Sequence, residues 1–158
     1  MKSTKKNDTS AAGLPSDPIA FKAMTEIGII AHLADNFFAK FLPEGITVAQ
    51  FGVLNHLLRL DRQETIGELA SAMQVSQPTM SSTVRKLEDK DFIRLIYDEN
   101  DRRVRRVAVT SLGEKIRSQS IMNVLPEQKK ISSDVSRDEW EALLKTLTKI
   151  RIVLDANR

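Results

Sequence analysis

Apolar residues recur every three or four positions along most of this chain, and residues that start helices punctuate the pattern. Ile19, Met24, Ile27, Ile30, Ala31, Leu33, Ala34, Phe37, Phe38 and Phe41 carry the first run. Asp17 followed by Pro18 places an N-cap residue ahead of one suited to a first helical turn. The run predicts a helix over 18–42, ended by Pro43, Glu44 and Gly45. Its apolar set is too broad for one buried stripe, so the helix has a second surface to cover, such as a partner chain.

Three further starts share the capping box, in which a Ser or Thr oxygen takes up the amide three residues on while a Glu or Gln there reaches back. They are Thr47 with Gln50, Thr65 with Glu68, and Ser136 with Glu139. The first opens VAQFGVLNHLLRL, with Val48, Phe51, Leu54, Leu57 and Leu58 on one face. The second opens the short IGELASAM. The third opens a helix on which Trp140, Leu143, Leu144, Leu147, Ile150 and Leu154 align. Between them, Ser76 caps QPTMSSTVRKLEDKD, with Pro78 in the first turn and Met80, Val84 and Leu87 facing inward. From Phe92 the period changes. Residues 92–97 and 104–110 are rich in β-branched and aromatic side chains and flank the polar DENDRR, which predicts a β-hairpin with a long loop. Thr110 or Ser111 then caps a long helix to about Ser132, which Pro126 is expected to kink or break.

The order is helix, helix, short helix, turn, helix, hairpin, helix, helix: a mainly α fold with a small β-hairpin. A short helix joined by a three-residue turn to a second helix, with a hairpin behind, is the arrangement that seats the second helix in a DNA major groove and makes the hairpin a wing. The outer face of that second helix is small and hydrogen-bonding. Pro78, Ser81, Ser82 and Arg85 lie opposite its apolar face, Gln77 stands at its exposed start, and Ser76, Thr79 and Lys86 are placed for the DNA backbone. Charge sharpens this reading. Within YDENDRRVRRVAV, four arginines follow three acids, and a hairpin tip carrying arginine beside a recognition helix can reach the minor groove, where negative potential is focused. A net charge of +3 and an isoelectric point of about 9.3 suit a protein that meets polyanions.

Composition removes other classes. The 158 residues, 41% hydrophobic, suffice for one folded domain. There is no cysteine, which excludes disulfides, thiolate metal sites and cysteine nucleophiles. With only His32 and His56, no Gly-rich phosphate loop and no H-E-x-x-H pattern, the chain lacks the signatures of an enzyme, a metal site or a bound cofactor. The first residues, MKSTKKNDTSAAGLPSDP, are polar and without the apolar stretch of a secretion signal, and no run approaches the ~20 apolar residues of a membrane span. The expectation is a cytoplasmic protein with a disordered tail over 1–17.

The run IGELASAMQVSQPTMSSTVRKLEDKDFIRLIYDENDRRVRRVAVTSLGEKI, preceded by VAQFGVLNHLLRL, resembles the winged helix-turn-helix core of the MarR family of bacterial transcription regulators. The wing is its most specific part, where DENDRR is followed by an alternating strand and TSLGEK. The resemblance implies a single domain over 18–158, with a winged-helix core at 46–110 flanked by dimerisation helices at 18–42 and 111–157. It further implies a homodimer on a pseudo-palindromic operator, acting as a repressor released by a small aromatic or lipophilic effector. Carried over by position, Asp101 matches the family's wing acid, which orients Arg103 toward the minor groove, with Arg102 and Arg105 beside it. For the effector, Phe21, Met24, Phe37 and Phe38 could line a cavity in which His56 or Arg59 meets a carboxylate. A winged protein-interaction module without DNA binding is the competing reading. Such a module needs neither the wing arginines nor a recognition face free of apolar residues.

Overall fold

The computed structural model describes residues 17–157; apart from Asp17, the tail expected to be disordered lies outside the described residues. The described elements follow in the expected order: α1 (Ile19–Ala39), α2 (Val48–Leu60), α3 (Ile66–Ala72), α4 (Gln77–Glu88), β1 (Ile93–Tyr97), β2 (Arg105–Val109), α5 (Ser111–Ser132) and α6 (Arg137–Ala156). The fold is mainly helical with one antiparallel hairpin.

Packing divides the chain between Asn36 and Phe37 into two compact units. The first holds most of α1, none of whose residues is buried. Its Ile19, Phe21, Ile30 and Leu33 are all more than half exposed. The helix ends three residues short of the expected Leu42 because its last turn tightens: the amides of Lys40 and Phe41 bond the carbonyls of Phe37 and Phe38 at 3.2 and 3.0 Å, a three-residue spacing that α-helix does not continue.

In the second unit all three capping boxes form, with both reciprocal bonds present at Thr47, Thr65 and Ser136. The amphipathic faces that they start meet in one core, where Val53, Leu54 and Leu57 of α2 pack with Leu69 of α3, Met80, Val84 and Leu87 of α4, and Ile93 and Val107 of the hairpin. The hairpin register runs from Ile93 opposite Val109 to Tyr97 opposite Arg105. Glu64, just before α3, adds a β-bridge to Val107 and so ties the hairpin to the helices. Thr110 caps α5, and Gly113 lets that helix cross the chain at Phe92, for a Cβ there would lie 2.1 Å from the Phe92 carbonyl oxygen. Pro126 does not break α5, which continues to Ser132. Both Pro126 and Met122, whose carbonyl loses its usual donor, are exposed, and a carbonyl open to water costs less than one orphaned in a core. Like α1, α6 buries no residue, and Leu144, Ile152, Val153 and Leu154 are all more than half exposed.

Candidate nucleic-acid interface

The inner face of α4 is fixed by Met80, Val84 and Leu87, at 3, 1 and 0% exposure. A helix so anchored turns Gln77, Pro78, Ser81, Ser82, Arg85 and Lys86 outward, and all six are exposed. Ser76 and Thr79 sit at the helix start. The Ser76 oxygen accepts the Thr79 amide at 3.3 Å, and the two hydroxyls lie 2.7 Å apart. Thr83 turns its hydroxyl back to the Thr79 carbonyl at 3.1 Å. Pro78, Ser81, Ser82 and Arg85 form one wall of a cleft whose other wall holds Leu95 and Arg105 of the hairpin. Recognition-helix and wing residues thus share one surface.

The wing tip is built on two carboxylates. Asp98 Oδ1 accepts the amides of Asn100 and Asp101 at 2.9 and 3.1 Å. Asp101 Oδ1 accepts the amide and Nε of Arg103 at 3.0 and 3.3 Å, while the Arg103 side chain remains 92% exposed. Arg102 is exposed as well. The Arg105 guanidinium lies 5.4 Å from the centre of the Tyr97 ring, a cation–π contact that keeps it at the cleft. Arg106 differs from the other three. It donates to Asp98 Oδ2, to Glu68 Oε2 at 3.1 Å and to the Gln63 carbonyl at 3.4 Å. The Arg106 bond, aided by the two turn amides, holds the Asp98 carboxyl below its ordinary value. Asp98 in return raises Arg106, and Glu68 is lowered first by the Thr65 amide and further by Arg106.

The expected effector residues divide between the two units. Phe21 and Met24 are exposed on α1 in the first unit. In the second, Phe37 stacks at a tilt on Phe41 and Phe38 on Phe51, with centroids 5.0 and 4.5 Å apart. Arg59 is exposed on α2. His56 meets a carboxylate of its own chain, with Nε2 3.0 Å from Glu64 Oε2. Glu64 escaped the sequence reading because it stands in the polar run DRQET. Its side chain is only 4% exposed and also pairs with Arg62. Among the described residues, no helix is long and apolar enough to cross a membrane.

Residues 44–104, which span α2, α3, α4, β1 and the wing loop, match the model of the MarR family. Over this stretch the winged domain is similar to the MarR family. Solved structures agree over a longer stretch. The transcriptional regulator BldR from Sulfolobus solfataricus is 26% identical with a TM-score of 0.72, covering 83% of this chain and 93% of that one. A mutant MarR from E. coli complexed with operator DNA is 24% identical with a TM-score of 0.64, covering 85% and 99%. An organohalide-sensing transcriptional regulator in its 2,4-dichlorophenol-bound form is 18% identical with a TM-score of 0.73, covering 96% and 90%. The chain therefore has the fold of MarR-family transcriptional regulators.

Proposed function

We propose that this MarR-family chain is a cytoplasmic, sequence-specific DNA-binding regulator that acts as a homodimer on a pseudo-palindromic operator, with α4 in the major groove and the wing in the minor groove. The observation that carries the reading is the cleft in which Ser81, Ser82 and Arg85 of α4 face Arg105 of the wing. Small hydroxyls let a helix approach base edges, and arginine supplies the paired donors that distinguish guanine. The fold shared with an operator-bound MarR supports it. In this reading 46–110 reads DNA while 18–42 and 111–157 dimerise. The uncovered apolar faces of α1 and α6 support a second copy as partner.

Repression relieved by a lipophilic, anionic effector is the regulatory half of the proposal, with Phe37 and Phe38 for its apolar part and Arg59 for its charge. The dichlorophenol-bound structure of the same fold supports an aromatic ligand. A ligand preferring one spacing of the two lobes shifts the dimer away from the operator. The test is a gel-shift of genomic fragments with the full chain. Retention of a few fragments against excess random DNA is expected, with release by an aromatic acid at millimolar concentration. Because the chain has no cysteine, stoichiometric peroxide is expected to leave binding unchanged within minutes. Equal affinity for all fragments, or none, counts against DNA-sequence recognition.

A further inference from the structure

An unbroken series of hydrogen bonds joins the start of α3 to the wing tip. The Thr65 amide donates to Glu68 Oε2 at 2.7 Å, and the same oxygen accepts Arg106 Nη1 at 3.1 Å. Arg106 Nε donates to Asp98 Oδ2. The other Asp98 oxygen gathers the amides of Asn100 and Asp101, and Asp101 in turn holds Arg103. Arg106 stands at the middle of the series and is the one member that touches both the helix-turn-helix and the wing loop. Its side chain is 30% exposed where that of Arg103 is 92%.

The hairpin itself does not need a cation there. Arg106 pairs with Ile96 through the backbone ladder, and an aliphatic residue makes those bonds equally well. What the guanidinium adds is a rigid fork that serves Asp98, Glu68 and a backbone carbonyl at once, which a lysine's single ammonium does not reproduce. Without it, two carboxylates face each other across the base of the wing.

We propose that Arg106 is a positioning residue for DNA binding: it holds the loop 98–104 to α3 in the geometry that presents Arg103, and does not itself read the operator. The proposal rests on the DNA-binding reading above, so its test has an arm that needs no DNA. In the free full-length protein, Arg106→Leu is expected to speed amide hydrogen exchange at Asn100 and Asp101 by about tenfold with the core amides unchanged, since the turn loses its tether. Asp98→Asn keeps the turn acceptor and removes the charge partner. It is expected to act the same way, and it serves if Arg106→Leu fails to fold.

In the DNA arm, Arg106→Leu is expected to weaken operator binding by about tenfold and to lower the salt slope as much as Arg103→Ala does, with the double variant no weaker than Arg103→Ala alone. Additive losses overturn the proposal in favour of a direct phosphate contact by Arg106. Unchanged exchange at Asn100 and Asp101 overturns it outright, as does full affinity in Arg106→Leu when Arg103→Ala binds poorly. If Arg103→Ala binds normally, the wing's role in DNA binding fails, and the exchange rates still decide whether Arg106 holds the loop.

Discussion

Arg85 and Lys86 are consecutive and both exposed on α4, but only Arg85 lines the cleft with the wing. Their losses should differ in kind. Arg85→Ala is expected to cost about 1–3 kcal/mol at the base pair it reads, while Lys86→Ala weakens every sequence alike and lowers the salt slope by about one. Gel-shifts on operator and random DNA across a salt series separate the two, and equal loss on both DNAs in Arg85→Ala contradicts the division. The His56–Glu64 pair makes a different claim at the same scale. A carboxylate 4% exposed tolerates loss of a partner poorly, so His56→Leu should lower stability to urea by about 2 kcal/mol. His56→Leu with Glu64→Leu removes both polar groups and should cost less than the single change; a single variant as stable as the wild type contradicts this. Which residues were legible follows from distance along the chain. The outward set on α4 is a matter of helical period. The inward turn of Arg106 depends on Glu68, and the burial of Glu64 on pairing with Val107. Neither partner is a sequence neighbour, and strand alternation separates Arg106 from Arg105 without saying what it meets.

Helix starts were legible because a cap is chemistry within four residues, and Thr47, Thr65, Ser76, Thr110 and Ser136 all cap as their side chains dictate. At Pro126 the expected break does not occur, because the cost of a mid-helix proline depends on whether water reaches the orphaned carbonyl, which is a property of the surface and not of the local sequence. Gly113 reads in sequence as a weak point in α5, whereas in the fold it is the crossing of α5 over Phe92. Gly113→Ala forces a Cβ to 2.1 Å from a backbone oxygen, and a loss of about 3 kcal/mol in urea unfolding is expected; a neutral variant shows that the helix moves away at little cost. The hairpin has its own signature in pH. Glu68 and Asp98 titrate below their ordinary values of 4.5 and 3.8. Their stabilisation is therefore complete above those values and is lost as the pH falls through the lower folded ones. Amide exchange at Asn100 and Asp101 should accelerate over that acid range before the core opens. Acceleration beginning near neutral pH contradicts it.

At the scale of the molecule, two helices bury nothing of their own, and that is the basis for expecting a dimer. Leu144 is 66% exposed in the single chain, so Leu144→Glu should leave its circular dichroism intact while shifting light scattering at micromolar concentration from dimer toward monomer. A wild type that scatters as a monomer at that concentration contradicts the assembly. The continuity of α5 has a mechanical consequence. Its first turns are fastened: the Thr110 amide and hydroxyl bond the carbonyls of Phe92 and Asp91 at 3.1 and 2.6 Å, and Arg117 grips Asn55 on α2 at 2.9 Å. The whole helix runs 22 residues from Ser111 to Ser132 without a break, about 33 Å from end to end. Over that length a tilt of about 5° at one end carries the other by about 3 Å, a quarter of the width of a major groove.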